Sequence, residues 1–224
     1  MSTEILVVDD NHINIIYLQT MLTKLGYSAV SATDGHKAID LCMQSEIHKT
    51  PFKLILMDIR MDGLDGIDTT KEIRKISAYR NIPIIAVSAE QVTHVADGFF
   101  QKTVIKPISR ATLVDLTEEY LQKESTQYSI DKKPDVLQQL RQMLRQQLPQ
   151  DIKKLKNTLA EDDNEASRQQ IHYVLGSVKM CQLTEIESIL INLQQVIMRE
   201  GQLNQPQLMD KLEQACQKFC YSDK

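Results

Sequence analysis

Leu54-Ile55-Leu56-Met57-Asp58 is a run of four apolar residues ending on a carboxylate, followed by a loop carrying Gly63 and Gly66. A short, unbroken apolar run bounded by a turn reads as a strand covered on both faces. The same pattern recurs on either side of it. Upstream, Ile5-Leu6-Val7-Val8 precedes an amphipathic stretch from His12 to Leu25 that breaks at Gly26. Ser28 to Ala32 reads as a second strand, and Gly35 to Gln44 as a second helix. Downstream come a helix from Asp68 to Ile76, a strand Ile84-Ile85-Ala86-Val87 after Pro83, a short strand Val104-Ile105 and a helix from Ser109 to Leu121. Short apolar runs alternating with helical patterns predict a doubly wound α/β domain with a parallel five-stranded sheet.

From about Ser125 the period changes. Seventeen of the 22 glutamines lie beyond that point, and the strand-like runs stop. The polar stretch 124–133 reads as a linker between a domain over 1–123 and a second over 134–224. The second domain reads as an all-α antiparallel bundle of four or five helices: Pro134–Leu148, Pro149–Glu161, Asn164–Met180, Thr184–Glu200 and Gln205–Phe219. Pro134, Pro149 and Pro206 are placed near helix starts, where a missing N–H does no harm. Thr184-Glu185-Ile186-Glu187 reads as a capping box, and Gly201 as a stop signal.

The chain has 224 residues and a net charge of −4. Residues 1–124 carry 13 basic and 17 acidic side chains, and 125–224 carry 13 of each. Neither half has the basic excess of a nucleic-acid binder. No run of 18 apolar residues suggests a membrane span, and the start Met1-Ser2-Thr3-Glu4 has no basic stretch typical of a secretory signal. Cys42, Cys181, Cys216 and Cys220 form no C-x-x-C pair and read as reduced, buried thiols of a cytoplasmic protein.

In a doubly wound sheet the C-terminal strand ends share one edge, where ligands bind. Asp9 and Asp10, Asp58, Ser88 and Lys106 each follow a different predicted strand, so they are expected to converge. Taken alone, Asp9-Asp10 suits a helix N-terminus, Ser88 a turn, and Lys106 a surface charge. Together they describe a different chemistry. Crowded carboxylates repel unless a cation joins them, and an all-oxygen acidic pocket suits Mg²⁺. A carboxylate can attack phosphorus to give an acyl phosphate, with Lys106 and Ser88 holding phosphoryl oxygens.

The segments Val7-Val8-Asp9-Asp10-Asn11, Met57-Asp58-Ile59-Arg60-Met61-Asp62-Gly63-Leu64-Asp65-Gly66, Ala86-Val87-Ser88-Ala89 and Ile105-Lys106-Pro107 resemble the receiver domain of two-component response regulators, over roughly residues 2–123. The resemblance implies a flavodoxin-like fold and phosphorylation of Asp58. It implies Mg²⁺ held by Asp10, Asp58 and the backbone carbonyl of Arg60 with help from Asp9, a switch hydroxyl on Ser88, and a phosphoryl clamp at Lys106. Asn11 and Asn14 resemble the pattern of receivers found in hybrid sensor kinases. Asp62 stands where the family usually has proline, and Thr103 where it has an aromatic residue. Only eighteen positions run from Ser88 to Lys106, so the helix between them is expected to be short or irregular.

His12, His36, His48 and His94 have no chemical neighbourhood that sets them apart. His172 lies mid-helix with Gly176 one turn on, where glycine costs about 1 kcal/mol relative to alanine. Ile171-His172-Tyr173-Val174-Leu175-Gly176-Ser177 resembles the histidine-phosphotransfer (HPt) domain, over roughly residues 134–220. That implies a phosphoaccepting imidazole. Leu175 replaces the family's usual lysine, and Lys179 lies on the same helix face.

The expected function is a phosphorelay intermediate rather than a turnover enzyme, since no glycine-rich nucleotide loop is present. The expected partners are a sensor histidine kinase or HPt protein and a downstream receiver domain, with no nucleic acid. The alternative is a phosphorylated receiver whose bundle is a dimerisation or kinase-binding module that transfers nothing.

Overall fold

The computed structural model describes residues 4–89, 98–121, 136–200 and 206–221. The chain divides into two compact units, Met1–Lys133 and Pro134–Lys224. The expected linker over 124–133, Pro134, His94, Gly201 and most of the expected short helix before Lys106 lie outside the described residues.

The first unit holds strands β1 (Ile5–Val8), β2 (Ala29–Ala32), β3 (Leu54–Asp58), β4 (Ile84–Ser88) and β5 (Lys102–Ile105). Its helices are α1 (His12–Lys24), α2 (Gly35–Ile47), α3 (Gly66–Lys75) and α4 (Arg110–Leu121). All pairings are parallel, in the order β2-β1-β3-β4-β5. Strand alternation divides the core in two. Ile5, Val7, Leu54, Leu56, Ile85 and Val87 face Leu18 and Leu22 of α1 and Leu113 and Leu116 of α4. Leu6, Val8, Ile55, Met57 and Ile84 face Ala38 and Cys42 of α2 and Ile73 of α3. Both faces of the central strands β1, β3 and β4 are therefore covered, which is why these three read as continuous apolar runs.

Arg74 fastens the far side of this sheet. Its guanidinium donates to the carbonyls of Tyr79 at 2.7 Å, Ile82 at 2.6 Å and Phe99 at 2.8 Å, and to Gln101 Oε1 at 3.0 Å. One planar fork thus ties the C-terminal end of α3 to the segments entering β4 and β5.

The second unit contains α5 (Val136–Ala160), α6 (Asn164–Met180), α7 (Thr184–Glu200) and α8 (Pro206–Tyr221). Each helix packs on the next, and α8 returns to α5. Arg141 donates to the Cys181 carbonyl, Gln147 to the Tyr173 hydroxyl and Ser167 to the Thr158 hydroxyl, so α6 numbers fall as α5 numbers rise. The two helices are antiparallel. Arg145 with Phe219 and Lys156 with Glu213 give the same answer for α5 and α8.

Two expectations are corrected here. Pro149 does not begin a helix: it sits inside the 25-residue α5. Proline in a helix interior costs about 3 kcal/mol. Leu140, Leu144, Leu148, Ile152 and Leu155 are all buried on one continuous stripe across it. At about 1.5–3 kcal/mol for each buried side chain, that stripe outweighs the break. Thr184 is not a capping residue either. The Glu187 N–H bonds to the Leu183 carbonyl at 3.0 Å, making Leu183 the N-cap and Thr184 the first helical residue.

Candidate functional site

Strand register brings the predicted groups to one edge. Val8 pairs with Met57, and Asp58 with Val87, so Asp9 and Asp58 stand side by side just past the apolar core. The Ser88 carbonyl accepts the Lys106 N–H at 2.7 Å, joining the ends of β4 and β5. Asp9, Asp58, Ser88 and Lys106 are all at most 3 % exposed. Asn11, rather than the aspartate pair, caps α1, accepting the Ile13 N–H at 3.0 Å. Both aspartates are thereby left to the cluster.

Lys106 Nζ lies 2.6 Å from Asp9 Oδ2 and 2.6 Å from Asp58 Oδ2. Asp58 Oδ1 accepts the Arg60 N–H at 3.2 Å. Asp10 is less buried and, among the described residues, accepts only a long bond, 3.4 Å, from the Asp62 N–H. Carboxylate oxygens of Asp9, Asp10 and Asp58 come within 4.8 Å of one another. One ammonium among three carboxylates leaves a surplus of negative charge.

The electrostatics follow from that imbalance. Burial raises the Asp9 and Asp58 carboxyls, against the pull of Lys106. Burial opposes the charge on Lys106 too, but Asp58 and Asp9 overcome it and hold the ammonium protonated. Asp10 is pushed up to about 7 by burial and then by Asp58 and Asp9. This donor set fits a hard divalent cation: three oxygen-bearing acids converge, and a second positive charge would relieve the repulsion.

A pH dependence follows. Asp10 titrates near 3.8 when free and about 7 when folded. The folded chain therefore binds an extra proton between those values. This group's contribution to stability is complete below pH 4 and lost as pH rises through 7. Without divalent ions, thermal stability should fall from pH 5 to pH 8. Asp10→Asn should flatten that slope and gain about 1–3 kcal/mol at pH 8, allowing for solvent screening. Melting curves in a chelator test this, and parallel profiles for the two proteins would contradict it.

Gly66 supports Asp58 from below. It opens α3 behind the capping residue Asp65, and its N–H bonds to the Ile59 carbonyl at 2.9 Å. A Cβ there would overlap the Asp58 carbonyl oxygen and come within 2.9 Å of the Ile59 Cα. Gly66→Ala is expected to cost about 1–3 kcal/mol through overpacking and to displace the end of β3. A melting temperature equal to that of the parent would refute this contact.

The first unit matches the response regulator receiver domain over residues 5–118, and the second matches the Hpt domain over 139–220. The chain belongs to the response regulator receiver family. Both modules are phosphotransfer domains. Across both, it is 26% identical over 216 residues to the sensor protein GacS of Pseudomonas syringae pv. syringae, covering 82% of this chain and 23% of that one. It is 35% identical over 119 residues to hybrid signal transduction histidine kinase I of Dictyostelium discoideum, covering 50% of this chain and 7% of that one. The chain thus spans under a quarter of the length of these two relatives. The receiver domain of sensor histidine kinase PA1611 from Pseudomonas aeruginosa PAO1 has a solved structure at 30% identity and a TM-score of 0.48, covering 55% of this chain and all of that one.

His172 lies in the Hpt unit on α6, and only 9% of it is exposed. Leu175 is 3% exposed and belongs to the apolar interior with Ile171, Val174 and Val178. The position where the family usually carries a cation is therefore part of the core. Sequence reasoning missed Gly66 and Arg74, because their roles depend on contacts with other segments. Among the described residues, no helix is long and apolar enough to cross a membrane.

Proposed function

We propose that this chain is a phosphorelay intermediate, with Asp58 of a receiver over 1–123 and His172 of a bundle over 134–224 as its phosphoacceptors. The observation that carries this reading is the buried Lys106 ammonium, 2.6 Å from both Asp58 and Asp9 at the edge of a parallel sheet. In the receiver step, an oxygen of Asp58 attacks the phosphorus of a donor phosphohistidine. The new O–P bond forms as the N–P bond breaks, and its electrons return to the donor imidazole, which takes up a proton. Lys106 turns from the Asp58 carboxylate to a phosphoryl oxygen, and Ser88 donates its hydroxyl to another.

Asp10, Asp58 and the Arg60 carbonyl would hold Mg²⁺ in this reading, and the ion would neutralise phosphoryl charge. Asp9 assists by anchoring Lys106. The donor is a sensor histidine kinase or HPt protein, and the recipient from His172 is a further receiver domain. Four free cysteines, three of them buried, suit a cytoplasmic location.

The test is exposure to a labelled phospho-HPt donor with Mg²⁺. Base-labile label is expected as acyl phosphate and acid-labile label as phosphohistidine. Base-labile label alone across several donors would make the bundle a docking module, with Leu175 as the reason. No label at all would overturn the relay.

A further inference from the structure

Asn14, one turn into α1, is 1% exposed and has no part in the mechanism above. Its Nδ2 donates to Asp9 Oδ1 at 3.0 Å and to Oδ2 at 3.2 Å. Asp9 Oδ1 also accepts the Asn11 N–H at 3.0 Å, and Oδ2 accepts Lys106 at 2.6 Å. A carboxylate offers about four lone-pair sites. Each Asp9 oxygen thus accepts two contacts, with the Asn14 amide bridging both.

The orientation of the amide follows from the same charge. Asn14 Oδ1 is buried and has no hydrogen-bond partner among the described residues. Reversing the amide would set that oxygen against the Asp9 carboxylate. Asn14 is thus held by Asp9, at the expense of its own acceptor. By contrast, among the described residues Asp10 accepts one long bond and Asp58 accepts Lys106 and the Arg60 and Ile59 N–H groups, so no side-chain amide bridges either carboxylate.

We propose that Asn14 sets the metal preference of the receiver by keeping Asp9 out of direct coordination. This rests on the reading that Asp10 and Asp58 hold Mg²⁺. Mg²⁺ loses its waters reluctantly and suits a site with one or two carboxylates, whereas Ca²⁺ takes six to eight oxygens and tolerates more of them from protein. Removing the Asn14 amide uncovers the edge between the two Asp9 oxygens and turns the two-carboxylate site into a three-carboxylate one. Asn14 is a positioning residue: it acts on the metal only through Asp9.

The experiment is calorimetric titration of the whole chain with MgCl₂ and, separately, CaCl₂, for the parent and Asn14→Ala. Thermal melts of both are recorded without metal. The expected result is a ratio of Ca²⁺ to Mg²⁺ affinity raised about tenfold in the variant, as the added carboxylate suits the larger ion. Simple loosening of the fold would weaken both ions together and leave the ratio unchanged, which overturns the proposal. Should Asn14→Ala not fold, Asn14→Thr offers one short donor in place of the amide. It is expected to raise the ratio by a smaller factor, and an unchanged ratio there also overturns the proposal. A parent that binds no Mg²⁺ would overturn the cofactor reading itself, and the proposal with it.

Discussion

Asp58→Asn should leave the receiver folded, more stable than the parent in the absence of metal, and without acyl phosphate. The loss of chemistry is direct, because the variant has no carboxylate oxygen to attack phosphorus. The gain in stability comes from the imbalance of the cluster. Three carboxylates share one ammonium, and those of Asp9 and Asp58 are almost fully buried. Removing one negative charge leaves Lys106 its 2.6 Å contact with Asp9 and relieves Asp10, whose carboxyl is pushed up partly by Asp58. The expected gain is about 1–2 kcal/mol at pH 8 in a chelator. The rise in melting temperature on adding Mg²⁺ should shrink at the same time. Labelling with a phospho-HPt donor and melting with and without Mg²⁺ read all three effects. Base-labile label persisting on the variant would remove Asp58 from the mechanism.

The acids of that cluster are legible in the sequence for a physical reason. The three central strands are buried on both faces, so Ile5–Val8, Leu54–Met57 and Ile84–Val87 stand out as unbroken apolar runs, unlike the edge strands β2 and β5. Whatever follows such a run in a parallel sheet lies at the ligand-binding edge. Asp9, Asp58 and Ser88 could therefore be placed together from sequence position alone, and Lys106 joins them from the end of the short edge strand β5. Gly66 could not. It looks like a loop glycine until the Asp58 carbonyl is found against its Cα, and α3 then begins two residues earlier than periodicity suggests. Arg74 was hidden likewise, since its acceptors reach as far as Gln101.

The helical unit was harder to read because local and tertiary preferences disagree there. Pro149 is a strong local signal for a boundary, yet the stripe from Leu140 to Leu155 carries α5 straight through it. Local chemistry decides where a helix starts easily, and packing decides whether it stops. His172 shows a different limit. Its helix and its glycine neighbour were legible, but periodicity sets a residue's angle on a helix without saying how deeply that face is covered. His172 is only 9% exposed.

Lys106→Ala tests whether the ammonium is what makes the buried carboxylates tolerable. The side chain is 2% exposed, as is Asp9, and Asp58 is 1% exposed, so water cannot replace it without opening the site. Breaking a buried ion pair from one side costs about 3–5 kcal/mol, because the partner charges remain. Here two partners remain. The raised pKa of Lys106 keeps its contribution constant across the neutral range, so any pH dependence of the variant's deficit must come from the acids. The deficit should be larger at pH 8 than at pH 5, where burial-raised carboxyls can take up protons and shed charge. Mg²⁺ should recover part of it by supplying positive charge at the same edge. Acyl-phosphate formation on Asp58 should nonetheless fall about 10²–10³-fold with Mg²⁺ present, the usual scale for losing one preorganised electrostatic contact to a transition state. A variant that labels normally would show that Lys106 only balances charge at rest. One as stable as the parent at pH 8 would show that the carboxylates never needed it.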